Sequence, residues 1–477
     1  MAEFRLASCL KHSWEDQDKA AAPAETVKAT LAKLQKQPDL SHLKLEERPI
    51  DVDGAFSFAS VSDQLTTNGK GLTPDQSEAS AVMEFAERYS WLHFDYEHAP
   101  GYMVKSWSEM KKWSFPVPDE TYFFRCFPDW DNREELLAQV KDIPLKWLKA
   151  VSLNDYRPYY YPLNWHNYTQ TSNGLAAGNA LEEAIVQALC EVIERENVFR
   201  FFAAKKTPRE LDLRSVKHPL VVRTLASAAA VGVRIAVKDI SFELGVPTFC
   251  VYGQAGQRQN KLSFRGCGYG AHTDPDKALI RALAEYFEGY SLMTNIEQEL
   301  HFNWPAMLAK MPRQNYGFLA LLNDEMLSVP AAPVKMEALR NLSRDDFRDE
   351  VLELLALLRG EGHDVFLIDK THPRLGIPAV RVFVPTFRNV INTSALDRDM
   401  LMAMVNFEAG NKEGAKKYYR RSQLRNYYVD PSVSQVKFDQ ALKGDYREQL
   451  KAYGGLKRDL RTMLKQLELT MRQNLRS

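Results

Sequence analysis

The stretch Asn179-Ala-Leu-Glu-Glu183-Ala-Ile-Val-Gln187-Ala-Leu-Cys-Glu191-Val-Ile-Glu194-Arg195 spaces its polar residues by three and four. At about 100° per residue, such steps return to one side of a helix. Asn179, Glu183, Gln187, Glu191 and Glu194 therefore form one polar stripe, with Leu181, Ile185, Leu189 and Val192 largely off it. Ser80-Ala-Val-Met-Glu84-Phe-Ala-Glu87-Arg88 and Arg281-Ala-Leu-Ala-Glu285-Tyr-Phe-Glu288 repeat the pattern. Three glutamate stripes repel one another unless cations lie between them. Clusters of hard oxygen donors suit magnesium, which in turn suits nucleotide phosphates.

Each stripe taken alone also fits an ordinary solvated helix face. Solvated faces, however, mix Glu with Lys four residues on, and residues 77–92 hold no lysine. The rest of these helices is mostly Ala, Val, Met, Phe, Ile, Leu and Cys, so they read as largely buried. Buried carboxylates need metals, cations or dense hydrogen bonding. Three such helices point to a shared acidic cavity.

Composition sets the outer limits. The 477 residues are 45% hydrophobic, enough for a large core and two or three structural units. Lys+Arg and Asp+Glu are both 62, so no basic field argues for nucleic acid and no charge argues for a membrane surface. No run of about 18 apolar residues occurs, and the first residues lack the apolar stretch of a signal peptide. Cys9, Cys126, Cys190, Cys250 and Cys267 are scattered and never form Cys-x-x-Cys, which fits a reducing cytoplasm and disfavours zinc or iron–sulfur binding. The expectation is a cytoplasmic protein.

Around the acidic helices the pattern alternates. Residues 24–36 read as a helix after Pro23 and residues 55–62 as a strand, followed by a polar Thr-Thr-Asn-Gly-Lys-Gly turn. Residues 233–239, 247–253 and 262–270, then 364–369 and 378–385, read as strands, which makes the chain α/β. A strand–turn–acidic-helix unit appears twice, its helix following Asn68-Gly69-Lys70-Gly71 in one case and Asn173-Gly174-Leu-Ala-Ala-Gly178 in the other, a pattern of internal duplication. From residue 396 the rhythm turns helical, with fragments like tetratricopeptide helix pairs, and 396–477 reads as a small all-α module that binds a partner or caps the domain.

Standard nucleotide and hydrolase signatures are missing. Asn68-Gly69-Lys70-Gly71 is not a P-loop, Gly266-x-Gly268-x-Gly270 lacks dinucleotide spacing, and there is no Gly-x-Ser-x-Gly or His-Glu-x-x-His. His372 reads as a turn residue and Cys190 as core, and no catalytic residue is singled out. A phosphate site would have to use glycine-turn amides with Lys70, Arg195 and Arg281.

Taken jointly, four motifs resemble the YcaO family, ATP-dependent enzymes that activate backbone amides, over roughly residues 5–395. They are Thr67-Asn-Gly-Lys-Gly71, Ser80-x-x-x-Glu84-x-x-Glu87-Arg88, Ser172-Asn-Gly-x-x-Ala-Gly-Asn179-x-x-x-Glu183-x-x-x-Gln187-x-x-x-Glu191-x-x-Glu194-Arg195 and Arg281-x-x-x-Glu285. The resemblance implies a YcaO-like α/β domain over residues 1–395, with Mg2+ and ATP as cofactors. It implies a magnesium shell of Glu84, Glu87, Glu183, Glu191, Glu194 and Glu285, and nucleotide contacts from Ser80, Asn179, Gln187, Arg195 and Arg281. Lys19 and Thr26 parallel a Lys and a Ser that hold the nucleotide in enterobacterial members, and Glu288 stands where Gln is common.

The function so implied is phosphorylation or adenylation of a peptide or protein backbone amide. Thioamidation, cyclodehydration or an accessory role in ribosomal-protein methylthiolation are its candidate outcomes. The ending Met471-Arg-Gln-Asn-Leu-Arg-Ser477 lacks the Pro-x-Pro-x-Pro tail of azoline-forming members, which weighs against cyclodehydration. Expected partners are the substrate, a sulfur-transfer or substrate-presenting protein, and a second copy in a homodimer. The alternative is a non-catalytic scaffold that holds ATP and binds a partner through its C-terminal helices.

Overall fold

A side chain has no room at Gly69: a Cβ there would lie 2.1 Å from the Ser77 carbonyl oxygen and 2.3 Å from Ala81 N. The computed structural model describes residues 5–14, 17–62, 65–97, 101–125, 133–202, 204, 206–255, 265–300, 333–388 and 398–421. In it the expected polar turn is a strand, Thr66–Gly71, antiparallel to Phe56–Val61, which in turn pairs with Lys44–Arg48. Thr67, Gly69 and Gly71 are the buried alternate positions. The glycines serve close approach rather than reversal of the chain: they let the strand lie against the helix Pro74–Leu92.

The same device recurs in a second hairpin. Thr248–Ala255 and Arg265–Ala271 pair antiparallel and lead into the helix Pro275–Leu300. A Cβ on Gly270 would meet Ala278 O and Ala282 N at 2.4 Å, eight and twelve positions on, the offsets at which Gly69 meets Ser77 and Ala81. The sequence keeps this register, each later residue numbered 201 higher. Pro74-Asp75 matches Pro275-Asp276, Glu84-x-x-Glu87 matches Glu285-x-x-Glu288, and Tyr89-Ser90 matches Tyr290-Ser291. The correspondence expected between the first and second acidic helices is thus closer between the first and third.

The second hairpin edges a five-stranded sheet, continued by Val233–Asp239, Arg209–Leu211 and Pro333–Val334. A six-stranded sheet runs Met103–Lys105, Leu145–Ser152, Phe366–Asp369, Ala379–Phe383 and Leu175–Ala177, with Pro158–Pro162 paired to Leu145–Ser152. The central acidic helix, Leu181–Phe202, packs on this second sheet and on the helix Phe347–Gly360. Its Ile185, Leu189 and Cys190 are buried with Val351, Leu354 and Val380. Burial pushes the Cys190 thiol up to about 12, as befits a small apolar core residue. Cys126 lies outside the described residues.

The helices Arg398–Glu408 and Lys412–Arg421 join a core built from the middle of the chain. Leu401, Met402, Val405, Tyr418 and Tyr419 are buried with Trp147, Trp165 and Phe123. Tyr427, Tyr428 and the rest of 422–477 lie outside the described residues. Among those described, no helix is long and apolar enough to cross a membrane.

Candidate functional site

Each acidic helix presents a Glu-x-x-Glu pair, and residues three apart share one helix face. One cation straddles each pair. Arg88 reaches Glu84 at 3.3 Å and Glu87 at 3.2 Å. Arg195 reaches Glu194 at 3.6 Å and Glu191 at 4.0 Å. In both cases the arginine directly follows the second glutamate. The third helix has Gly289 at that position. There Lys70, on the strand Thr66–Gly71, supplies the charge: its Nζ lies 2.6 Å from Glu285 Oε2 and 3.6 Å from Glu288 Oε2.

The three clamps act on one another. Burial raises the pKa of Glu87 well above the usual carboxylate range, with Glu191 and Glu84 adding to it against Arg88. Burial likewise raises Glu191, and Glu285 adds to it. Burial pushes Glu194 up to about 7 with help from Glu285 and Glu191, and pushes Glu288 up to about 7 with help from Glu84 and Glu285. Glu285 is the exception. Burial alone would raise it, but Lys70, Arg195 and the Tyr269 backbone amide together hold it below its ordinary value.

Six carboxylates thus face three cationic side chains. Among the described residues no three potential metal ligands are already drawn into an ion cage. The surplus of hard oxygen donors, most of them half-buried, nevertheless fits added divalent cations of the magnesium type.

Of the remaining expected residues, Lys19, Thr26 and Asn179 gather around Glu183. Glu183 Oε2 accepts hydrogen bonds from the backbone amides of Ala20 and Asn179, both at 3.2 Å. Lys19 Nζ lies 3.5 Å from Glu183 Oε1, and Thr26 Oγ1 donates to Asn179 Oδ1 at 3.1 Å. Glu183 precedes Glu191 by two turns, about 12 Å along the helix, so it sits apart from the clamps. Arg281 donates to the Ala271 carbonyl at 3.0 Å, while Ser80 and Gln187 are half-buried on their helices.

Behind the clamps lies a buried polar cluster that helical spacing gave no way to foresee. Asp95 accepts from Trp91 Nε1 at 2.5 Å and Asn167 Nδ2 at 3.0 Å, and pairs with Lys370. Arg381, fully buried on its strand, donates to Asn167 Oδ1 at 2.8 Å and to the Asn173 carbonyl at 3.3 Å, and also holds the Thr171 carbonyl. It therefore grips the turn before Gly174, whose φ of +75° needs glycine. Its charge also reaches Glu87 and Glu191. Burial pushes the Lys370 pKa down to about 8, against the pull of Asp95.

A family model described as "YcaO cyclodehydratase, ATP-ad Mg2+-binding" matches residues 68–388. A Methanothermobacter thermautotrophicus protein of undescribed function is 30% identical over 382 residues, covering 77% of this chain and 94% of its own length. The ribosomal protein S12 methylthiotransferase accessory factor YcaO of Escherichia coli is 27% identical over 350 residues, 68% of this chain but only 57% of that protein. Among solved structures, a heterocyclase in complex with substrate and cofactor aligns at TM-score 0.66 and 22% identity, over 81% of this chain and 54% of that one. YcaO from Methanopyrus kandleri, bound with AMPPCP and Mg2+, aligns at 0.57 and 22% identity, over 81% and 96%. At these identities the two structures bear on the fold.

Proposed function

Because this chain belongs to the YcaO family, we propose that its three clamps hold Mg-ATP and use it to activate a backbone amide of a peptide or protein. The observation that carries this reading is the convergence of three Glu-x-x-Glu pairs with more carboxylate than cationic charge. Glu84, Glu87, Glu191, Glu194, Glu285 and Glu288 would hold the ions. Glu183, with Lys19, Thr26 and Asn179, would define the far end of the nucleotide trough. Bound magnesium supplies neutralisation of charge on the phosphates.

Arg195 would add fixed positive charge, and Lys70 a charge on a flexible stem, where phosphate charge develops. The amide oxygen attacks either the γ-phosphorus of ATP, with ADP leaving, or the α-phosphorus, with pyrophosphate leaving. The activated amide then accepts a sulfur, nitrogen or oxygen nucleophile, and its phosphate or nucleotide group departs. The E. coli relative is named as an accessory factor, which supports a protein substrate and a partner that presents it. The matching register of the first and third hairpin–helix units supports an internal duplication.

Turnover tests the reading. Mg-ATP binding followed by release of ADP or AMP, accelerated by an amide-bearing peptide or protein, is the expected result. Tight ATP retention with no product under any substrate would instead make the chain a nucleotide-holding scaffold.

A further inference from the structure

Two of the three clamps carry their cation on the same helix, at the position after the second glutamate. Arg88 and Arg195 are each tethered next to the pair they straddle. The third clamp is built differently. Gly289 leaves that position without a cation, Arg281 of the same helix is spent on the Ala271 carbonyl, and the clamp's charge arrives from another element on the flexible four-carbon stem of Lys70. An ammonium is a compact point charge with freely rotating donors, whereas a guanidinium is a rigid planar fork. Lys70 is about one-third exposed at its side chain, more than Arg88 or Arg195. Burial works against its charge, but Glu285 and Glu288 outweigh that and raise its pKa.

We infer that Lys70 is the exchangeable cation of the site: it competes with Mg2+ for Glu285 and Glu288, and so sets the ion affinity of the third clamp. The inference rests on the Mg-ATP reading above. Its physical basis is that one pair of carboxylates, with Lys70 already 2.6 Å from Glu285, cannot hold a divalent ion and an ammonium on the same oxygens without mutual repulsion. When the ion enters, the ammonium is freed toward the phosphates, which makes ion and nucleotide binding mutually supportive. In the first and second clamps the cation stays on the helix that carries the glutamates, so the exchange is confined to the third.

The test is calorimetry with magnesium chloride alone on the full chain, without nucleotide. Lys70→Met keeps the stem and removes the charge, so Mg2+ should bind on the order of tenfold more tightly than to wild type. Lys70→Arg restores a positive charge and should return the affinity to within roughly threefold of wild type or weaken it. Lys70→Met combined with Gly289→Arg places the cation as in the other two clamps and should also remove the gain, with Lys70→Arg carrying the comparison if that protein does not fold. Mg2+ affinity in Lys70→Met equal to or weaker than wild type, in a protein whose wild type binds Mg-ATP, would overturn the inference. A wild type that binds neither Mg2+ nor Mg-ATP would overturn the underlying reading as well, and that outcome is distinct.

Discussion

Asn164 Nδ2 donates a hydrogen bond of 3.0 Å to the Val405 carbonyl, tying the middle of the chain to the helix Arg398–Glu408. Tyr168 completes the tie by donating to Glu408 at 2.7 Å. With Leu401, Met402 and Val405 buried beside Trp147 and Trp165, the helix is part of the core it covers. A chain ending at Ser394 should therefore aggregate or melt markedly earlier, because it exposes that apolar surface. A chain ending at Arg421 should keep cooperative unfolding. Thermal melts of the two truncations decide this, and equal stability would make the helix dispensable.

Glu191→Gln removes one anionic oxygen while barely changing volume. Mg-ATP affinity should fall by about tenfold or more, since hard cations depend on carboxylate charge. Calorimetric titration of Mg-ATP gives the answer, and unchanged affinity would remove Glu191 from the ion shell.

Gly69→Ala should destabilise the protein by about 3 kcal/mol, the overpacking range, because its Cβ would sit 2.1 Å from the Ser77 carbonyl oxygen. Gly270→Ala, at the matching position, should behave alike. Chemical denaturation measures both, and a loss below the resolution of that method would show that the strands can yield.

Cys190→Ala should cost about 1 kcal/mol of stability through a small cavity and leave nucleotide turnover near the wild-type rate. The thiol is buried in the core and its pKa is pushed up to about 12, the opposite of an activated nucleophile. Abolished turnover in a folded Cys190→Ala protein would point to covalent chemistry instead.

Lys370 gives a pH signature. Its folded pKa is depressed from 10.5 to about 8, burial being the main cause. Between those values the unfolded chain holds a proton that the folded chain has released, so this group makes stability rise with pH across that window. Comparing thermal melts of wild type and Lys370→Met from pH 8 to 10.5 should show a smaller rise, or a steeper fall, in the variant. Parallel profiles would sink the assignment.

The acidic helices were legible in the sequence because a helix writes its faces locally: three- and four-residue steps suffice to place Glu84 beside Glu87, or Glu191 beside Glu194. The burial of Cys190 followed from the same local pattern. Lys70 stood out in the sequence as a cation but not as the partner of Glu285, since that pair forms across 215 positions of chain. Glu288 could have been recognised from the repeat that matches it to Glu87. Gly69 and Gly71 misled because glycine serves turns and close packing alike, and only the partner surface distinguishes them. Arg381, Lys370 and Asp95 left no periodic trace, being single charges set in a strand, just past the end of another and at a helix end.

The clamp joining Lys70 to Glu285 bears on how this protein persists as well as on what it binds. Contacts between such distant positions carry a loop-closure cost that only the folded chain repays, and the Ala20–Glu183 and Thr26–Asn179 bonds span 163 and 153 positions. The site is therefore complete only in folded molecules. A ligand that recognises it draws the folding equilibrium toward the native form by mass action. On the proposed reading, the nucleotide supply around the protein would help determine how long each copy survives unfolding and proteolysis.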